Sequence, residues 1–92
     1  PDDLFLIDVR NAPNHLKKEK IINAILIPLN ELENRLNEIP KNKKIIVYCW
    51  DVWCNMGAKA ALILLDNNYN VKELSGGIAA WNKLNMQTVS LT

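Results

Sequence analysis

Soft metal ligands are scarce in this chain of 92 residues: two cysteines, Cys49 and Cys54, and one histidine, His15. Two cysteines cannot build the disulfide framework of a small secreted domain. Even with His15, which lies in a distant polar segment, they fall short of a zinc site, so no metal is expected. No apolar run approaches the roughly 18 residues that span a bilayer, and no secretory leader pattern opens the sequence. Neither sign of charge is in excess. The formal net charge is +1, which gives no bias toward nucleic acid or a membrane surface. The lysines gather in two small groups, Lys17-Lys18-Lys20 and Lys41-Lys43-Lys44, each beside carboxylates or turn residues, and are read as solvated surface charge. There are no repeats and no low-complexity tracts. With so few cysteines a cytoplasmic setting is the default, where thiols stay reduced unless chemistry uses them.

What is present is an ordinary globular composition, 49% apolar and 23% charged, enough for one domain over residues 1–92 and too short for two. Pro1-Asp2-Asp3 leads straight into an apolar run without an initiator methionine, as in a trimmed chain or part of a longer protein. Leu4 to Val9 is apolar but for Asp8 and reads as a buried strand of a parallel sheet. Asn11 to Glu19 reads as a loop with a short helix, and Ala24 to Ile27 as a second strand closed by Pro28. Asn30, with Glu33 three positions on, has the form of a capping box. It opens a helix carrying Leu32, Leu36 and Ile39 on one face, with Glu31 and Arg35 paired across a turn, and Pro40 ends it. Ile45 to Tyr48 is the next strand. Asn55 to Asp66 is a helix with Ala58, Ala61, Leu62 and Leu65 as an apolar stripe that Ala60, Ile63 and Leu64 widen, and it should be substantially covered. A strand at Val71 to Leu74, the turn Ser75-Gly76-Gly77 and a short helix to Leu84 complete the pattern, and the tail from Gln87 carries no strong signal. Such alternation predicts α/β layers on a mainly parallel sheet.

In such sheets sites form beyond the carboxyl ends of the strands. Cys49, Arg10 and the Ser75-Gly76-Gly77 turn all fall at such ends. Cys49 stands where a strand gives way to a loop and then a helix. A thiol there meets amide donors and the positive end of the helix dipole, which favour the nucleophilic thiolate. Successive loop amides over Trp50, Asp51, Val52, Trp53, Cys54 and Asn55 could form a nest for a sulfur anion. The competing reading of Cys49 is a buried structural cysteine. Cys54 reads equally as a resolving thiol for Cys49 or as a small apolar residue at the helix start. Trp50 and Trp53 are expected to cover something, whether a pocket over Cys49, the loop or a partner. Asp8 and Arg10 are expected to form an ion pair that fixes the rim. Trp81 is expected in the core or over the last helix, and His15 and Lys59 at the surface.

These segments together resemble the rhodanese-like sulfurtransferase domain. Leu6-Ile7-Asp8-Val9-Arg10 resembles the family's Asp-Val-Arg strand end. Ile21 to Pro28 is similar to its Ile-x-Gly-Ala-x-x-Ile-Pro segment, with Asn23 where glycine is usual. Val47-Tyr48-Cys49 resembles the strand bearing the active cysteine, and Gly76-Gly77-Ile78-Ala79-Ala80-Trp81 the closing Gly-Gly-x-x-x-Trp. The resemblance implies a three-layer α/β/α fold without the strand and helix that usually precede the Asp-Val-Arg strand. It also implies ping-pong transfer of sulfane sulfur, with Cys49 accepting it from a donor as a persulfide and passing it to a thiol or protein acceptor. No metal or organic cofactor is implied, and no nucleic acid or membrane. The family loop often ends in arginine where Cys54 stands; a subset of the family carries a similar Cys-x-x-x-x-Cys-Asn loop. Without that cation, and with Asp51 in the loop, thiosulfate should bind poorly. A phosphatase of the related fold would need a longer loop ending in arginine to grip phosphate. Two other readings stay open: a non-catalytic module of the same fold that binds proteins, and a thiol–disulfide switch using Cys49 and Cys54.

Overall fold

A computed structural model describes residues 3–92, so Pro1 and Asp2 lie outside the described residues. The chain runs β1 (Leu4–Asp8), α1 (Asn14–Lys17), β2 (Glu19–Ile21), β3 (Ile25–Leu26), α2 (Leu29–Leu32), a 3₁₀ segment (Glu33–Glu38), β4 (Lys44–Tyr48), α3 (Met56–Asp66), β5 (Val71–Glu73), α4 (Gly77–Lys83) and β6 (Thr88–Ser90). Four strands form the central sheet in the order β3-β1-β4-β5, and all its neighbours are parallel. The α/β reading with a mainly parallel sheet therefore holds.

Alternation along the two middle strands divides the core. Phe5, Ile7, Val9, Ile45 and Val47 face one layer, where Leu32, Ile39, Ala60, Leu64 and Tyr69 meet them. Leu6 and Tyr48 point the other way, toward Ile21, Ala24, Ile78 and Trp81. Successive side chains of a strand point to opposite faces, so β1 and β4, covered on both, are apolar almost throughout.

Three local expectations are corrected. Asn30 does not cap α2; it lies inside that helix, and its amide donates to Asn11 Oδ1 at 3.0 Å, so the cap comes from the loop after β1. The expected single helix to Ile39 lasts one turn and then tightens to 3₁₀ geometry with a break at Arg35, in a stretch where Asn34 and Asn37 are weak helix formers. The expected Arg35–Glu31 pair forms at 3.1 Å, with a second pair to Glu38 at 2.8 Å. On α3 the margin of the expected stripe, Ala60 and Leu64, is covered together with Gly57, while Ala58, Leu62 and Leu65 from its centre are exposed. The small residues Gly57 and Ala60 let this helix approach the sheet closely, a placement that hydrophobicity alone does not rank.

Two strands carried no signal in the sequence. β2 and β6 pair antiparallel, Glu19 with Ser90 and Ile21 with Thr88, and bring the tail back to α1. The usual glycine position taken by Asn23 has φ 68°, a left-handed conformation that asparagine tolerates better than most residues.

Candidate functional site at the carboxyl rim of the sheet

Because the four central strands are parallel, their carboxyl ends share one rim. Asp8 ends β1 and Arg10 lies just past it, Cys49 follows β4, and Ser75 to Gly77 follow β5. Asp8 and Arg10 are both buried. The Arg10 guanidinium donates to Asp8 through Nη2 at 2.6 Å and Nε at 2.9 Å, and through Nη2 to the Glu19 carbonyl at 2.6 Å. Tyr48 donates its hydroxyl proton to Asp8 Oδ2 at 2.8 Å and accepts from the Ile21 amide at 3.0 Å. Burial, and then the Asp8 charge, hold the Tyr48 phenol well above its ordinary pKa. No buried side-chain nitrogen or oxygen among the described residues lacks a partner. The network is thus fully satisfied, as a buried ion pair must be if it is not to destabilise the fold. The guanidinium also stacks on the Trp50 ring at 4.5 Å, which couples the network to the residue after Cys49.

The loop itself is closed. Cys49 and Cys54 form a disulfide with Cα atoms 6.3 Å apart. Cys49 is 2% exposed, whereas Cys54 is half-buried and lines a cleft of about 400 Å³ with Asn55, Glu73 and Ser75. In this oxidised form neither sulfur is a nucleophile. The loop amides do not all turn inward. Asp51 takes two of them: the Trp53 amide donates to its side chain at 2.9 Å and the Cys54 amide to its carbonyl at 3.2 Å. A β-carbon at Gly57 would lie 2.6 Å from Glu73 Oε2, so a carboxylate already meets the positive end of α3.

Helix α4 forms the roof. The amides of Ile78 and Ala79 donate to the carbonyls of Cys49 and Trp50, each at 3.0 Å. Gly77 makes this approach feasible, because a side chain there would collide with the main chain of Cys49 and Trp50. Trp81 packs beside Ile78 and donates its indole N–H to the Gln87 carbonyl at 2.8 Å.

Several residues stand elsewhere than expected. Trp53 covers nothing: it is 91% exposed, and Val52 beside it is exposed as well. Lys17, read as solvated, is 5% exposed. His15 and Lys59 are at the surface as expected, and Asp51 and Asn55 of the loop are exposed too. Tyr48 was not singled out from the sequence, although an aromatic hydroxyl beside Cys49 in a doubly covered strand was the available signal.

A buried acid–arginine–tyrosine network, a strand-end cysteine loop and a Gly-Gly helix roof define a thiol-bearing α/β domain of one kind. The rhodanese-like domain model matches residues 1–84. The chain belongs to the rhodanese-like domain family. It is similar to a sulfurtransferase of Allochromatium vinosum, 30% identical over 93 residues that cover 97% of this chain and 81% of that protein. An HTH-type transcriptional regulator of Mycobacterium tuberculosis is 34% identical over 79 residues, 86% of this chain but 34% of the regulator. A crystal structure of a protein from Lactobacillus plantarum superposes with a TM-score of 0.91 at 32% identity, over 94% of this chain and 72% of that one. No helix among the described residues is long and apolar enough to cross a membrane.

Proposed function

We propose that this domain transfers sulfane sulfur through a persulfide on Cys49, with Cys54 closing the site as a disulfide when no sulfur is carried, by exchange with a disulfide R–S–S–R that leaves as two thiols. The observation that carries the reading is the loop itself: a cysteine at a parallel-strand end, its carbonyl pinned by α4 and its sulfur joined to a second cysteine. Transfer begins from the reduced loop. The Cys49 thiolate attacks the outer sulfur of a donor persulfide R–S–SH. The bond from Cys49 Sγ to that sulfur forms, the bond to R–S breaks, and R–S⁻ leaves with the electron pair. Amides of Trp50, Asp51 and Val52, which make none of the loop's main-chain hydrogen bonds among the described residues, stabilise the sulfur anion in place of a basic side chain.

Opening the oxidised loop takes two thiols. The first attacks Cys54, the more accessible sulfur, forming a mixed disulfide and releasing Cys49 as the thiolate. The second regenerates Cys54 and leaves as the oxidised thiol pair. The acceptor is a thiol, free or on a protein, and the setting is the cytoplasm, where such thiols are plentiful.

Intact-mass analysis tests the proposal. Reduced protein exposed to inorganic polysulfide should gain one sulfur, lost again on adding a thiol and missing in Cys49→Ser. No gain in the wild type would sink the transfer reading. The disulfide favours one other reading, a thiol–disulfide switch without sulfur transfer. Equilibration with thiol redox buffers would then show reversible Cys49–Cys54 oxidation in a protein that takes up no sulfur.

A further inference from the structure

On the α1 side of the loop lies a second cleft, of about 420 Å³, lined among others by Arg10, Lys17, Lys18, Glu19, Trp50 and Asp51. Its volume is within the range of small-molecule sites. The charges in it are unequal in availability. Arg10 is held by Asp8. Glu19 accepts from the Asn82 side-chain amide at 2.7 Å, and Asp51 from the Trp53 amide at 2.9 Å. Lys17 is different. It is 5% exposed, and among the described residues it has neither a carboxylate within ion-pair distance nor a hydrogen-bond acceptor for its ammonium group. Since no fully buried side-chain nitrogen is left unpartnered, the little of Lys17 that is exposed includes Nζ, and Lys17 is one of the residues that line the cleft. An ammonium drawn out of water this far without a counter-charge is costly, and an anion beside it relieves the cost.

We propose that this cleft binds the carboxylate of a small organic thiol or persulfide, and that Lys17 selects for that charge. The sulfur chemistry of the ligand rests on the transfer reading above; its charge rests on the cleft alone. The cleft meets the loop at Trp50 and Asp51, directly after Cys49, whereas Lys17 comes from a different element. A ligand that reaches both carries its anionic group away from its sulfur, as thiol acids do and the compact thiosulfate ion does not. In the acceptor direction, R–S⁻ attacks the outer sulfur of the Cys49 persulfide. The new S–S bond forms on R, the bond to Cys49 Sγ breaks, its electron pair stays as the Cys49 thiolate, and the proton of the outer sulfur leaves with R–S–SH.

Two measurements on the full chain separate charge recognition from sulfur transfer. In amide-resolved NMR, unreactive (methylthio)acetate should perturb residues 17–19 and 50–51 and bind about tenfold more tightly than neutral (methylthio)acetamide, the scale of one charge-assisted contact. Lys17→Gln should abolish the difference and Lys59→Gln should leave it. Should Lys17→Gln not fold, the wild-type preference should still be lost when excess acetate, a carboxylate without sulfur, competes for the cleft. Equal binding of the two probes, shifts confined to other faces, or a preference that survives Lys17→Gln or excess acetate would overturn the proposal. Mercaptoacetate and mercaptoacetamide then serve as sulfur acceptors, and Lys17→Gln should raise KM for the first only. A charge preference in binding with no sulfur uptake by Cys49 would end the transfer reading and leave the cleft standing. Sulfur uptake with no charge preference would do the reverse.

Discussion

Tyr48 carries more of the rim than its place in an apolar strand suggests. Its hydroxyl is both donor to Asp8 and acceptor from Ile21, so Tyr48→Phe strips one partner from a buried carboxylate and one from a buried amide. The expected loss is about 1–3 kcal/mol at neutral pH, read from urea unfolding midpoints. The alkaline limb gives a second signature. The folded-state pKa of the phenol is raised above its ordinary value near 10, so the folded form keeps its proton where the unfolded form has lost it. This stability is fully present below about pH 10 and falls as pH rises beyond it. Wild-type stability should therefore decline between about pH 10 and pH 11 more steeply than that of Tyr48→Phe. Parallel slopes would show that the phenol titrates normally. None of this was legible from residue 48 alone, because the partners are at positions 8 and 21. The Asp8–Arg10 pair was legible because both residues flank one strand end.

Among the elements, α4 is the one on which the loop depends. Gly77 sits at φ 56° with the Cys49 carbonyl against its Cα. Gly77→Ala should cost about 1–3 kcal/mol, and the loss should be accompanied by faster exchange of the Ile78 and Ala79 amides, whose acceptors lie in the loop. The Ser75-Gly76-Gly77 turn was visible as a turn; that its second glycine is a contact and not only a bend was not, since a sequence does not say which main chain approaches it. The central strands and α3 were legible from apolar runs and helical spacing. The centre of the α3 stripe lies off the covered face because Leu62 and Leu65 outrank Gly57 and Ala60 in hydrophobicity, while the sheet takes the small side with Ala60 and Leu64, the margin of the expected stripe. β2 and β6 were not legible because each is three residues long and draws its pairing from the far end of the chain.

For the molecule as a whole, the disulfide is a local clasp. It spans a sequence separation of 5, and in the chain-entropy account so short a loop is worth about 2 kcal/mol. The sheet, both core clusters and the Asp8–Arg10–Tyr48 network lie outside it. Reduction should therefore lower unfolding free energy by no more than about 2 kcal/mol and leave the far-ultraviolet circular dichroism unchanged. A larger loss, or melting of helical signal, would mean that the clasp holds the domain rather than the loop. Oxidation state can in this way change the chemistry at Cys49 without unmaking the fold.

The roof over Cys49 is drawn from residues that follow it in the chain. During synthesis, then, the thiol leaves the ribosome well before Ile78 and Ala79 can shelter its carbonyl. A nascent chain whose emerged part ends in β5 would display a strand-end cysteine with neither ceiling nor completed cleft. Such stalled chains should be trapped by maleimide reagents that the finished, oxidised protein excludes.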